Sequence, residues 1–376
     1  MRREFVQFGN NRVAFLIFIG APIIYGLLTG AVYNRATISD LPIIVVDLDN
    51  TPLSNKVVDA LDDNQYLKVA KIVYENQDLT PYLENQGYNA VVTIPDRFEA
   101  DIQQRRHPEI NTDINGSNML TANYAATGVQ TVLSVINAGV EIETLKKKGS
   151  PSVVAEEQFE AFKITMARHY NSSSNYLLFL WPGMLGTIMQ QVFLLALALS
   201  FAKEYEEGTF RDLIRYSKST WYLLFVKSLP YWLMGLLMWM PLMSAMFTVF
   251  HVPAVHSPLA MWVLSALFMF SVTFLGIAAS LVFKTQLKAT EVLMIIATPS
   301  FIISGQSWPL SQMPEWIQYL ASVIPLTYFL EAFRKIMMFD AGLKDILVEL
   351  KWLGALSIAN LAIAFVALKY KIARTN

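Results

Sequence analysis

Residues Tyr176–Phe201 read YLLFLWPGMLGTIMQQVFLLALALSF, without one charged side chain. At about 1.5 Å per residue, a helix of that length covers the ~30 Å hydrocarbon thickness of a bilayer. The composition points to the same solvent: 54% of the 376 residues are hydrophobic and 16% are charged, and the mean hydropathy is +0.38. That is more apolar surface than a soluble core hides. A net charge of -1 with no cation cluster excludes a nucleic-acid partner, because phosphate binding needs excess Lys and Arg. Cysteine is absent, which removes disulfides and thiolate metal sites.

Comparable runs lie at Val13–Tyr33, Leu223–Phe250, Leu259–Phe283 and Trp352–Leu368, and a shorter one at Val292–Ile303. The first follows Arg2, Arg3 and Arg12, but it is too long for a signal-peptide core and ends at no small-residue cleavage site. After the short run come Ser304-Gly305, Pro309 and Pro314, then Trp316–Phe333, an apolar stretch broken by polar residues. Such a pair fits a segment that enters the membrane and returns. The expected fold is an α-helical membrane protein of six transmembrane helices, with a re-entrant outer segment (304–345) before the last.

Basic residues set the orientation. Lys203, Arg211, Arg215, Lys218 and Lys227 surround the connection after the second span, Lys284 and Lys288 lie in the fourth, and Lys369, Lys371 and Arg374 follow the last. The loop His251–Pro258 has neither Lys nor Arg. Both termini are therefore expected in the cytoplasm, with residues 34–175 outside. In that outer segment Ile43–Val46, Leu67–Val73 and Ala90–Ile94 read as strands. Helices are expected at Leu53–Leu61, with Thr51-Pro52 as cap and first residue, and at Pro81–Gln86, Asp96–Gln104, Met119–Lys148 and Val153–Tyr170. This alternation predicts an extracytoplasmic α/β domain inserted between the first two spans. The division is then 1–33 (first span), 34–175 (outer domain) and 176–376 (remaining spans), with a cytoplasmic loop at 202–220.

That loop contains Lys203-Glu204-Tyr205-Glu206-Glu207-Gly208-Thr209-Phe210-Arg211-Asp212-Leu213-Ile214. Taken alone it is a solvated charge run followed by an amphipathic stretch. It resembles the cytoplasmic "E-x-E-x-G-T" loop of type-2 ABC transporter permeases. Trp181-Pro182-Gly183 is similar to that family's "P-G", and Val226-Lys227-Ser228-Leu229-Pro230-Tyr231 to its "G-K-x-x-P-Y", with Val226 in place of the glycine. Ser304-Gly305, Trp308-Pro309, Met313-Pro314-Glu315-Trp316 and Ile324-Pro325-Leu326-Thr327-Tyr328 resemble its outer re-entrant segment, and Arg334 falls where an arginine is usual. Val45–Ser54 and Ala90–Phe98 resemble the subgroup with a large outer insertion; Asn171-Ser172-Ser173-Ser174 departs from the asparagine-proline expected there.

The resemblance implies a permease subunit of an ATP-driven exporter of the bacterial inner membrane, moving hydrophobic or amphiphilic compounds, drugs among them. It pairs as a homodimer or with a similar permease, and separate ABC ATPase subunits carry ATP and Mg. No G-x-x-x-x-G-K-[ST] occurs in this chain, so no nucleotide or other cofactor is expected on it. A periplasmic adaptor and outer-membrane channel are further implied partners. Glu204, Glu206, Glu207, Gly208, Thr209, Phe210 and Leu213 are the expected ATPase-coupling residues. The three carboxylates would stand at the start of an amphipathic helix, Thr209 would cap it, and Phe210, Leu213 and Ile214 would face the membrane or a groove on the partner. Gly305, Pro309, Pro314, Pro325 and Arg334 mark the re-entrant segment.

Other readings attach to single features. Gln190 and Gln191 inside the second span serve either an inter-helix hydrogen bond or the translocation path. Asp47-Leu48-Asp49-Asn50-Thr51 after a strand has the form that opens haloacid-dehalogenase phosphatases, but no later acidic pair follows at a suitable distance, and the two carboxylates equally well shape a turn. His251 and His256 lack a third ligand nearby, so no metal site is expected. Outside the transporter class, the alternative is a membrane-anchored extracytoplasmic receptor or adaptor-binding protein.

Overall fold

A computed structural model of the chain describes residues 16–32, 37–75, 87–104, 106–147, 175–252 and 255–375. The helices expected at Pro81–Gln86 and Val153–Tyr170, the arginines at 2, 3 and 12, and Asn171–Ser174 lie outside these residues. The chain forms two compact units, Thr37–Ala167 and Met1–Ala36 with Arg168–Asn376.

The first unit is built on a sheet of β1 (Leu41–Asp47), β2 (Leu67–Val73), β3 (Ala90–Ile94) and β4 (Asn111–Ile114), in the order β2-β1-β3-β4. β1 runs parallel to β2 and β3, and β4 antiparallel to β3. A central parallel strand is covered on both faces, which is why β1 reads as an unbroken apolar run. On one face Ile43, Val45 and Val92 pack with Val57 and Leu61 of α2 (Pro52–Asp62) and Ala125 and Val129 of α4 (Met119–Lys147). On the other, Ile44, Val46, Val73 and Val91 form a smaller cluster. The sequence gives no sign of β4, Asn-Thr-Asp-Ile; its pairing to β3 makes it a strand.

The turn after β1 accounts for both carboxylates of the phosphatase-like motif. Asp47, 1% exposed, accepts at Oδ1 from the N–H of Asp49 (3.1 Å) and Asn50 (2.9 Å), and at Oδ2 from Ser54 Oγ (2.7 Å). Asp49 Oδ2 accepts from Thr51 Oγ1 (2.5 Å) and from the N–H of Glu99 (2.9 Å) in α3 (Phe98–Gln103). Glu99 in turn accepts from the N–H of Leu53 at 3.2 Å. Thr51 and Ser54 form a capping box at the start of α2, with Pro52 as first residue. The carboxylates shape and cap a turn.

The second unit is helical. A π-helical turn, Leu16–Gly20, leads into α1 (Ala21–Val32). There follow α5 (Tyr176–Glu206), α6 (Phe210–Tyr216), α7 (Thr220–Thr248), α8 (Pro258–Val282) and α9 (Gln286–Ile303). A 3-10 turn at Leu310–Gln312 and α10 (Glu315–Ser322), α11 (Pro325–Met338) and α12 (Leu347–Thr375) complete it. Among the described residues five helices, α5, α7, α8, α9 and α12, are long and apolar enough to cross a membrane; Phe18–Val32 is a shorter apolar helix. The largest departures from the expected spans are in α9 and α12. α9 starts at Gln286, ahead of the expected Val292, because Lys288 and Glu291 lower hydropathy without opposing a helix. α12 likewise begins five residues before Trp352 and continues past Leu368.

α5 and α8 form the middle of the bundle, each with 67% of its apolar window buried, against 22% for α9 and α12. Close approach depends on glycine: a Cβ on Gly276 of α8 would lie 2.7 Å from Leu197 Cβ, and one on Gly235 of α7 would lie 2.2 Å from the Phe193 ring. Side-chain hydrogen bonds add to this packing, Trp232 Nε1 donating to Thr273 Oγ1 (3.0 Å) and Asn360 Nδ2 to the Ser271 carbonyl (3.3 Å).

Two outcomes test the α/β unit. Asp47→Ala strands two backbone donors and a buried hydroxyl, and should destabilise this unit by about 2–3 kcal/mol, read as an earlier melt of the full-length protein in detergent. Asp62 accepts from Lys68 Nζ (2.9 Å) and the N–H of Val69 (2.8 Å), which hold its carboxyl below the ordinary range. A depressed folded-state pKa gives stability that is present above the unfolded value and lost as pH falls through the folded one. Asp62→Asn should therefore flatten the acid limb of the stability profile and, because the same carboxylate raises the Lys68 ammonium above its ordinary range, also remove a contribution that is lost at alkaline pH.

Candidate functional site

The final turn of α5 carries Lys203, Glu204, Tyr205 and Glu206, and the helix stops where Gly208 turns left-handed at φ 73°. The N–H of Glu207 bonds the Lys203 carbonyl (2.9 Å) and that of Gly208 the Tyr205 carbonyl (3.3 Å), a glycine-dependent helix end. Residues 202–206 thus belong to the span itself. The acidic residues stand at a helix C-terminus and not at the start of α6, where they were expected. A carboxylate there opposes the helix dipole and requires a compensating cation.

Lys227 is that cation. Two turns inside α7, its Nζ donates to Glu204 Oε1 at 2.7 Å, with the two side chains 3% and 2% exposed. The ammonium also lies 5.6 Å from the centre of the Phe201 ring. Glu204 Oε2 accepts from Thr209 Oγ1 at 2.5 Å. Thr209 therefore makes no side-chain cap for α6, and its own backbone is already helical. Glu206 Oε2 accepts from the backbone N–H (3.1 Å) and Nε2 (2.9 Å) of Gln286, the first residue of α9. Glu207 is exposed, 3.7 Å from Lys203. Tyr205 stacks near Phe210 at 4.5 Å, and Lys371 of α12 sits 4.9 Å over the Tyr205 ring.

α6 is amphipathic, but its apolar side is turned inward. Phe210, Leu213 and Ile214 are buried in the same hydrophobic core as Phe201, Leu223 and Leu224. They face neither lipid nor a partner, because the chain's own bundle offers them cover first. The last turn of α5 is thereby joined to α7, α9 and α12, and α6 packs against that turn.

At the opposite end of the bundle, Arg334 of α11 donates to the carbonyls of Gly305 (3.1 Å) and Gln306 (3.3 Å) and to Gln306 Oε1 (2.7 Å). Gln306 passes the connection on, its Nε2 reaching the Phe179 carbonyl of α5 at 2.8 Å. Gly305 is left-handed at φ 84°, and a Cβ there would lie 2.8 Å from Leu310 Cγ. Pro309 and Pro314 precede the 3-10 turn and α10, and Pro325 is the first residue of α11, positions where a missing N–H costs nothing. Lys335 bonds the buried Glu349, tying α11 to α12. Gln190 is 1% exposed and neither its oxygen nor its nitrogen has a hydrogen-bond partner among the described residues, whereas Gln191 is half-buried. His256 pairs with Asp340 (2.8 Å), and among the described residues no three His, Cys, Asp or Glu side chains gather as a metal site.

Gln286, Gln306 and Glu349 escaped the sequence reading, and Lys227 entered it as a basic flank and a motif residue without its partner Glu204. The signal for its pairing was present as a lone lysine among apolar residues, one span after the acidic run Glu204–Glu207. Gln286 and Gln306 have no such signature.

Residues 13–366 match the profile of the ABC-2 family transporter protein. The chain belongs to that family. It is a membrane transport permease, and its relatives match it along nearly the whole length. It is 23% identical over 359 residues to the inner membrane transport permease YhhJ of Escherichia coli (strain K12), covering 92% of this chain and 90% of that one. It is 21% identical over 315 residues to the probable multidrug ABC transporter permease YbhR of the same strain, covering 84% and 82%. It is also 23% identical over 367 residues to ABC transporter G family member 20 of Dictyostelium discoideum, covering 94% of this chain and 48% of that protein.

Removing one partner of a buried ion pair leaves an uncompensated charge and typically costs about 3–5 kcal/mol. Lys227→Met and Glu204→Leu should each lower the melting temperature of the purified protein sharply. The double variant should melt well above the sum of the two losses, since it buries no charge at all.

Proposed function

We propose that this chain is the permease subunit of an ATP-driven exporter, and that the α5–α6 junction receives the motion of a separate ABC ATPase subunit. The observation that carries the reading is mechanical: the last turn of α5 is held to α7 by an ion pair, to α9 by hydrogen bonds and to α12 by a cation–π contact, and α6 is held to that turn by the Thr209–Glu204 hydrogen bond, the Phe210–Tyr205 ring contact and its buried apolar side. A push on α6 is delivered to all of them together. Phe210 and Leu213 are then anchors that keep α6 attached, Glu204 and Thr209 lock its start, and Glu206 carries the motion to α9.

The remaining features follow this frame. Multidrug permeases among the relatives support hydrophobic or amphiphilic cargo, and the inner membrane permease supports that membrane as the location. Basic residues near α6 and after α12 support cytoplasmic placement of that end, with both termini inside and residues 34–175 outside, within reach of a periplasmic adaptor and outer-membrane channel. Two copies, or one copy and a similar permease, enclose the path, and Gln190 and Gln191 line it when the bundle opens. Gly305, Pro309, Pro314, Pro325 and Arg334 hold the re-entrant segment that closes its outer end.

Two measurements test this. In this cysteine-free chain, Gln65→Cys should react with an impermeant maleimide from outside and Lys218→Cys only after permeabilisation; the reverse pattern inverts the topology. In proteoliposomes with the ATPase subunit, Thr209→Val and Glu206→Ala should lower substrate-stimulated ATP hydrolysis and efflux several-fold while leaving assembly intact. Unchanged efflux in both would make the junction a plain linker.

A further inference from the structure

In the α/β unit, α4 is longer than the layer it covers. Val129, Leu133 and Ile136 pack with the core of the sheet, and the same apolar stripe runs on at helical spacing through Val140 to Leu145, past the last α4 residue of that core. β4 is an edge strand, so one side of it has no neighbour in the sheet. Between α4 and β4, with Phe98 and Ile102 of α3 in its wall, lies an open cavity of about 850 Å³, within the ~300–1,000 Å³ range of small-ligand sites. It is elongated: its lining on α4 extends from Ala126 to Leu145, a helical run of about 28 Å. The buried part of the lining, Phe98 and Val129, is apolar, and its ionisable groups, Arg106, His107 and Glu141, are all solvent-exposed. Arg106 and His107 are consecutive in the connection that leads to β4. The Arg106 side chain is 64% exposed and reaches Asp101 only at 3.5 Å, so its guanidinium keeps donors to give.

We propose that this cavity binds a monoanionic amphiphile, a long-chain carboxylate, with its aliphatic chain along the α4 stripe and its head group on Arg106 and His107. Shape and charge argue for it together. An elongated apolar interior with its polar groups at the solvent side accepts a molecule that is apolar along its length and polar at one end. A guanidinium fork matches a carboxylate in geometry as well as sign. Glu141 on α4 opposes a second negative charge, which selects a single acidic group over a polyanion. Strand addition by another chain fits less well, because β4 offers only four residues and carries the exposed Asp113. The inference is independent of the exporter reading: binding is a property of the α/β unit and is read on this chain alone.

The test uses the full chain in nanodiscs and a diazirine-bearing palmitate, with the cross-linked peptides mapped after illumination. Labelling of α9 and α12, the least buried of the long helices, is the internal reference for probe dissolved in the bilayer. Peptides covering 106–114 and 126–145 should be labelled at probe concentrations that saturate, and unlabelled palmitate should displace the probe there while hexadecylamine does not. Arg106→Gln should weaken this labelling about tenfold, the loss of a charge-assisted hydrogen bond, and Glu141→Gln should strengthen it. Ser134→Trp, which fills the cavity from an exposed position of its lining, should abolish it. These three side chains are exposed, so the melting temperature should not move. A bimane on Ser134→Cys, unique in a chain without cysteine, should be quenched by iodide in the free protein and shielded when palmitate is added. Labelling confined to the long helices would overturn the site, and equal displacement by hexadecylamine, or a loss in Glu141→Gln in place of Arg106→Gln, would overturn the acidic head group. A bimane already shielded without palmitate would show the cavity occupied by the chain itself and would overturn the proposal as well.

Discussion

The membrane unit depends on one buried ion pair. Placing a glutamate at the end of an apolar helix is unfavourable twice over, through loss of hydration and through the negative end of the helix dipole. Lys227 answers both from the neighbouring span, at 2.7 Å and with almost no solvent contact. Once the pair exists, Thr209 has an acceptor, α6 has a fixed start, and its apolar side meets the core at a defined angle. Such a pair adds less net stability than its Coulomb energy suggests. It supplies registry, because the two charges have no other tolerable arrangement.

The opposite end of the bundle solves a similar problem with one cation and neutral acceptors. A chain that breaks its helix near the membrane frees carbonyls that lipid cannot satisfy. Arg334 collects the carbonyls of Gly305 and Gln306, and the Gln306 amide reaches back to α5. One cation and one amide thus hold a non-helical segment against a long span. The prolines around it lose no hydrogen bond, because each stands at or just before a helical start.

Much of the architecture was legible in the sequence because hydropathy and period report it directly. The long spans, the strand Ile43–Val46, the cap at Thr51-Pro52 and the helix from Met119 all follow from local patterns. What escaped has a common cause. β4 exists only through its pairing, Lys227 matters only because Glu204 lies beside it, and Gln306 only because Arg334 and Phe179 come within reach. Each is a property of two segments distant in sequence. The inward turn of Phe210 and Leu213 belongs to the same class, for an amphipathic pattern tells which residues share a side but not what that side meets. The family motif picks out a stretch of chain, while the direction in which its side chains point is set by packing.

The sheet of the α/β unit raises a different matter. β1 has parallel neighbours on both sides, so the connections leaving its carboxyl end diverge, and folds of this kind commonly hold their ligands in the crevice that opens there. In this protein the crevice is stitched shut. Asp47, Asp49 and Glu99 spend their oxygens on backbone amides and hydroxyls of the surrounding turns, and α2 spends its first free N–H groups on its own capping box. A nucleotide or phosphate entering there would have to displace those bonds and meet three carboxylates. The crevice that such folds commonly leave open for a ligand is here filled by the chain's own turns.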